Sequence, residues 1–336
     1  MDAYCENLPK IELHAHLNGS LSEKTLEELG CQFNNVEEYQ KLNKIFGKTE
    51  KTLEDCFELF KIAHNVTNNV ESVYHATKCV IQDFSAENVI YLELRTTPRS
   101  ESTMTKEQYI EAVVRAIIDN KNNIIVKLLL SLDRSHSKEV SEEALDLIIK
   151  MKERYPNIIR GVDLCGNPNE GKFCGDLFLK ARENGLKLAI HCGEVKNNAE
   201  VKDILKIQPD RIGHGTCIHP GYGGSQDIWD LYKKLKIPTE CCLTSNVVCG
   251  SSESYEKHHV QEWIKNELPF CINTDDKGVF CTSLSQEFEV ISRLFNFTKH
   301  NLWKISYDTI DYTFCDKMEK DSLRKYLMKW ATENTK

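Results

Sequence analysis

No stretch of this chain approaches 18 consecutive apolar residues, which excludes a membrane-spanning helix. No paired CxxC ribbon and no compact half-cystine spacing occur among its 14 cysteines. They fall singly (Cys5, Cys31, Cys56, Cys79), as the doublet Cys241-Cys242, or inside apolar runs, and read as reduced, often buried thiols. Positive charge is in deficit: 43 Lys and Arg against 51 Asp and Glu leave a formal net charge of −8. That balance argues against nucleic acid or an anionic membrane as the main partner, yet leaves room for a small anion held by one or two local cations. The opening Met1-Asp2-Ala3-Tyr4-Cys5-Glu6 is acidic and lacks the apolar centre of a signal peptide, so a cytosolic location is expected. A strand-linked GxGxxG, HExxH, the HxE and PCxxC pair of the small zinc deaminases, and a GxSxG nucleophile elbow are all absent. Internal repeats, linkers and low-complexity tracts are absent as well.

What is present is a chain of 336 residues, 40% hydrophobic, long enough to bury a large core. Short runs rich in Ile, Val and Leu recur at Ile11–Leu17, Val89–Thr97, Ile124–Asp133, Ile159–Gly166, Leu186–His191, Arg211–Gly215, Pro238–Asn246 and Phe270–Asp276. They read as strands buried on both faces, as a parallel sheet requires. Amphipathic segments separate them. In Thr105–Lys121 a Thr105/Gln108 capping box precedes a stripe of Ile110, Val113, Val114, Ile117 and Ile118. Eight strands alternating with helices predict a (β/α)8 TIM barrel, one domain over residues 1–336 and a monomer. The interval after the first strand is too long for one crossover, so a helical insertion is expected over about residues 21–86. Extra helices are expected in Leu284–Trp330.

Polar residues gather where these runs end: His14 and His16, Arg95–Arg99, Asp133, Gly166, His191, His214, Ser245-Asn246 and Asp275-Asp276. In this architecture the C-terminal rim of the strands is where active sites form. His14 and His16 alternate on a strand, so both imidazoles can face one barrel mouth. With His191 and Asp275 from two other strand ends they make a set of histidine nitrogens plus one carboxylate, the donor chemistry of a catalytic zinc site. Glu194, three residues after His191, suits a general acid, or is a solvated loop carboxylate. His214, between Gly213 and Gly215, suits a ring facing a ligand, or a packed strand histidine. Adjacent Asp275 and Asp276 repel unless a cation lies close, although Asp276 alone could be a cap.

The segments Leu8–Ser20, His191-Cys192-Gly193-Glu194, Arg211-Ile212-Gly213-His214-Gly215, Leu243-Thr244-Ser245-Asn246 and Asn273-Thr274-Asp275-Asp276 together resemble the adenosine and AMP deaminases, zinc-dependent amidohydrolase barrels. The resemblance runs in order from about residue 8 to residue 330. It implies one Zn2+ per chain, held by His14, His16, His191 and Asp275. It also implies that Glu194 protonates purine ring nitrogen 1 and that His214 orients or deprotonates the zinc-bound water. Asp276 would contact ring nitrogen 7, and the Gly166 amide ring nitrogen 3.

One departure narrows the substrate. Nucleoside deaminases carry His-Leu-Asp-Gly where this chain has His16-Leu17-Asn18-Gly19. An aspartate there would repel a 5′-phosphate, whereas asparagine can donate to it. Thr96, Thr97, Pro98 and Arg99 supply two hydroxyls and a guanidinium at the same rim, with His64 able to close over them. Taken alone, Arg99 could be a solvated cation, Thr96 and Thr97 strand formers, His64 a surface helix residue and Asp133 a helix cap. As a set they resemble the adenosine deaminase-like subgroup, which implies removal of methylamine from N6-methyl-AMP to leave IMP, with Asp133 on the ribose. The alternatives are a plain adenosine deaminase and a purine-binding barrel without catalysis.

Overall fold

The computed structural model describes residues 2–32, 45 and 53–334. Eight strands, β1 Lys10–His16, β2 Val89–Thr96, β3 Ile125–Asp133, β4 Ile159–Cys165, β5 Lys187–Cys192, β6 Arg211–His214, β7 Thr239–Cys241 and β8 Phe270–Ile272, lie in sequential parallel order. The ring closes just beyond β8: Asp275 N donates to His14 O at 2.8 Å and His16 N donates to Asp275 O at 3.0 Å. This is the expected (β/α)8 barrel. Its strands are buried almost throughout, β2 at every position, because helices cover the outer face and side chains fill the interior.

The crossover helix Lys106–Ile118 starts as its sequence dictates, with the Thr105 hydroxyl accepting from Gln108 N and the Gln108 side chain accepting from Thr105 N. Between β1 and β2 stand the helices Glu23–Gln32, Leu53–Val66 and Val70–Ala86. Most of the expected helical stretch Phe33–Phe60 before residue 53 lies outside the described residues. After β8 come three helices, Leu284–Phe295, Lys299–Thr309 and Lys317–Asn334. No helix among the described residues is long and apolar enough to cross a membrane.

Two strands are shorter than their apolar runs suggest. The seventh stops at Cys241, and Leu243–Val248 turns into a short helix, with Asn246 N donating to Cys242 O at 2.9 Å. Ser245 and Asn246 therefore sit on a helical turn, not on a strand. The eighth stops at Ile272, and Asp275 and Asp276 lie on the loop beyond it.

Charged residues inside the strands meet across the barrel axis. Arg95 on β2 donates to Glu240 on β7 at 2.9 Å and approaches Asp163 on β4 at 3.3 Å. Arg211 on β6 donates to Glu240 at 2.6 Å, pairs with Glu93 on β2, and lies over the Phe314 ring at 3.7 Å. Apart from β6 and β7, which are adjacent, none of these strand pairs are neighbours, so those contacts must pass through the interior. All five side chains are fully buried. A charge in such a place needs an opposite charge and hydrogen bonds, and each has both.

Candidate active site

Four potential donors converge at the barrel mouth: one ligand atom each from His14, His16, His191 and Asp275 lies within 4.8 Å of all the others. The histidine orientations follow from the buried charges beneath them. His14 Nδ1 meets Glu240 at 2.7 Å and His191 Nδ1 meets Asp163 at 2.8 Å. A carboxylate must receive a proton from the ring, so Nδ1 of each carries hydrogen and Nε2 presents its lone pair when the ring is neutral. Burial opposes charge on His14, but Asp275 and Glu240 outweigh it and raise the ring to about 9, which draws positive charge, from a proton or a metal ion, to its Nε2. His191 Nε2 then faces His16 Nε2 at 3.3 Å, and His14 Nε2 lies 3.3 Å from Asp275 Oδ1. His14 Nε2 is also buried with no hydrogen-bond partner.

Lone pairs and a carboxylate pointed at one another repel in a site removed from water. A cation resolves the conflict, and three imidazole nitrogens with one carboxylate oxygen match zinc chemistry. The residues present therefore fit the metal that the sequence suggests. Burial alone would raise Asp275, but His14, His214 and His16 outweigh it and hold the carboxyl well below its ordinary range. Asp276 is pushed the other way by burial and by Asp275 beside it. Its Oδ1 is buried without a partner, and a Cβ on Gly19 would fall 1.6 Å from that atom, so only glycine fits at position 19. Gly213 makes similar room, since a Cβ there would come within 2.8 Å of His14 Cε1.

His214 and Asp275 hold φ at +62° and +63°, the left-handed region that side-chain-bearing residues enter at a cost of about 1–3 kcal/mol. Such strain gathers at functional sites. His214 Nε2 lies 3.8 Å from Glu194 and 3.8 Å from Asp275. Burial pushes His214 down to about 4, His259 to about 3 and His258 well below 6.5, so all three rings are neutral near pH 7.

Hydrogen bonds then assign the tautomer of His214. Val260 N donates to His258 Nδ1 at 3.1 Å, so the proton of neutral His258 is on Nε2. His258 Nε2 must donate to its neighbour, Asn246 Oδ1, at 3.1 Å. That fixes the amide so that Asn246 Nδ2 donates to His214 Nδ1 at 3.1 Å. The proton of His214 is consequently on Nε2, aimed into the site.

Above these groups opens a cavity of about 950 Å³. It is lined by every expected site residue except His14, which lies beneath: His16, Asn18, His64, Thr96, Thr97, Pro98, Arg99, Asp133, Gly166, His191, Glu194, His214, Asp275 and Asp276. Asp133 Oδ1 accepts from Ser135 N at 2.8 Å, as a turn cap does, which leaves Oδ2 for a ligand. Thr97 Oγ1 pairs with Cys165 Sγ at 3.1 Å, and Thr96 Oγ1 with Tyr109 OH at 2.6 Å. Arg99 is more committed than its sequence position suggests. Its Nη2 donates to Thr67 O at 2.6 Å and to Thr67 Oγ1 at 2.7 Å, and its Nε to Glu101 at 3.1 Å. Nη1, only 3.5 Å from Tyr109 OH, is the nitrogen left for a ligand. Asn18 joins the same web, with Nδ2 3.3 Å from Thr67 Oγ1 and Oδ1 3.4 Å from Tyr109 OH.

Sequence reasoning missed several participants. Lys106, a further cation on the cavity wall besides Arg95 and Arg99, opens a helix and carries no motif. Phe57 and Phe60 add apolar wall from the helix Leu53–Val66. Asp163 and Glu240, which orient His191 and His14, could have been suspected because each is a lone acid in an otherwise buried strand.

The family profile described as adenosine deaminase matches residues 9–330. A human protein named N6-methyl-AMP deaminase is 40% identical over 98% of this chain and 94% of its own length. An apo structure of the Arabidopsis thaliana N6-methyl-AMP deaminase superposes with a TM-score of 0.90 at 33% identity, covering 99% of this chain and 100% of that one. A crystal structure of Arabidopsis ADAL complexed with IMP gives a TM-score of 0.88 at 34% identity, covering 98% of this chain and 99% of that one.

Proposed function

Because the chain belongs to the adenosine deaminase family and is a hydrolytic deaminase, we propose that its substrate is N6-methyl-AMP, which it converts with water to IMP and methylamine. The observation that carries this reading is that a neutral Asn18 and the cations Arg99 and Lys106 line the same cavity as the His/Asp cluster, with Asn18 and Arg99 sharing Thr67 and Tyr109 as partners. The carboxylate that a nucleoside deaminase has at position 18 is replaced by a neutral amide. A 5′-phosphate there would meet Arg99 Nη1, Lys106 and no opposing anion at that position. Relatives named for the same reaction support it.

His14, His16, His191 and Asp275 would hold zinc, which supplies the Lewis acidity that makes water nucleophilic near neutral pH. The remaining work falls to the chain. Glu194 would hold a proton opposite ring nitrogen 1 and transfer it there, so that carbon 6 accepts the incoming oxygen. His214, protonated on Nε2, would donate to that oxygen and stabilise its developing charge; in this tautomer it orients rather than deprotonates. Asp276 would meet ring nitrogen 7, the Gly166 amide ring nitrogen 3, and Asp133 the ribose. Breaking the carbon–nitrogen bond at carbon 6 expels methylamine, which takes up a proton as it leaves. Purified protein incubated with N6-methyl-AMP should release IMP and methylamine in equal amounts. Failure to form either product under conditions that keep zinc bound would overturn the reading.

A further inference from the structure

Away from the barrel mouth, a second cluster of metal-binding side chains joins two of the helices between β1 and β2. His75 and Cys79 are four residues apart on the helix Val70–Ala86 and so project from one face. Glu28 reaches them from the helix Glu23–Gln32. The ligand atoms of the three lie within 4.8 Å of one another. His75 Nε2 is 3.3 Å from Glu28 Oε2 and 3.6 Å from Cys79 Sγ. One imidazole nitrogen cannot serve both neighbours well. As a donor it satisfies the carboxylate and leaves the thiol to the Thr25 side chain; as an acceptor it faces the carboxylate with a lone pair.

A second observation points the same way. Asp83, one turn beyond Cys79, has its Oδ2 buried with no hydrogen-bond partner. The carboxylates of Glu28 and Asp83 both act on the Cys79 thiol, and an unpaired buried carboxylate oxygen calls for positive charge. Lys24 does not supply it: it approaches the other oxygen of Glu28 at 3.8 Å and is 85% exposed.

We propose that Glu28, His75 and Cys79 form a second divalent-cation site, of zinc-type chemistry, that clips the helix Glu23–Gln32 to the helix Val70–Ala86. Nitrogen, sulfur and oxygen donors together suit a borderline-soft ion such as zinc better than calcium or magnesium. On binding, Cys79 gives its thiol proton to solvent and Sγ bonds to the ion; His75 binds through the Nε2 lone pair as the neutral ring. The site lies outside the deaminase cavity and shares no residue with it.

Cobalt(II) titration of the metal-depleted, full-length protein tests this. Wild type should develop a near-ultraviolet thiolate-to-cobalt charge-transfer band, and the dependence of that band on Cys79 separates this site from Cys242, which lies beside His214 and Asp275. Cys79→Ser should lose the band while retaining deaminase activity, and Glu28→Gln, a second variant against misfolding, should weaken it. Zinc added first should suppress the band and protect Cys79 from alkylation. Absence of the band in wild type, or its persistence undiminished in Cys79→Ser, overturns the proposal.

Discussion

Asn246 donates through Nδ2 to His214 Nδ1 at 3.1 Å, and the direction of that bond is set two residues away, by Val260 N on His258. The backbone of one helix thus decides which nitrogen of a ring in the site carries the proton. Nitrogen-15 NMR of histidine-labelled protein near pH 7 should show a pyrrole-type Nε2 and a pyridine-type Nδ1 for His214. The reverse pattern would return His214 to the role of general base.

Glu194 is only 22% exposed in its side chain and stands 3.8 Å from His214 Nε2. Positioned proton donors contribute ~10²–10⁴-fold in rate. Glu194→Gln should therefore lower kcat at least ~100-fold, with KM and bound metal little changed. Steady-state kinetics with metal analysis on the same sample checks both halves; near-normal kcat would remove Glu194 from the chemistry.

Metal retention should depend on the buried acids as well as on the ligands. His191→Ala should lose one equivalent of bound zinc relative to wild type. Asp163→Asn leaves the ligand in place but no longer accepts the His191 proton as a carboxylate, and such changes typically weaken metal affinity ~10–100-fold. Competition with a chelator of known affinity measures the shift. An unchanged stoichiometry in His191→Ala would contradict the cluster's assignment.

The barrel was legible in the sequence because its strands are buried on both faces and so read as apolar runs, interrupted mainly by the charges and histidines that meet inside the barrel. The same property hid their ends. Cys242 and Leu243 continue the apolar character of Cys241 after the backbone has turned helical, which placed Ser245 and Asn246 on a strand they do not occupy. The histidine and aspartate cluster was visible because spacing and strand-end position are sequence properties. The web of Tyr109, Thr67 and Arg99 was not, since it joins a crossover helix to a loop beyond β2 and to the end of another helix. No period or motif records such a meeting.

Arg99→Ala should lower kcat/KM for the monophosphate by roughly 10- to 150-fold, the value of one charge-assisted contact of about 1.5–3 kcal/mol. Residual turnover of the nucleoside should stay nearly constant, which separates lost phosphate binding from damage to the Thr67 contacts. Asn18→Asp should act in the same direction through repulsion, more strongly as pH rises from about 5 to 8 and the phosphate gains its second charge. Equal losses on nucleotide and nucleoside in both variants would dissolve the clamp.

The central claim, that a 5′-phosphate selects the substrate, is tested most directly by kcat/KM for N6-methyl-AMP and N6-methyladenosine on the wild-type protein under identical conditions. With Arg99 and Lys106 each making a charge-assisted contact, the monophosphate should be favoured at least ~100-fold. Equal values for the two would contradict the account.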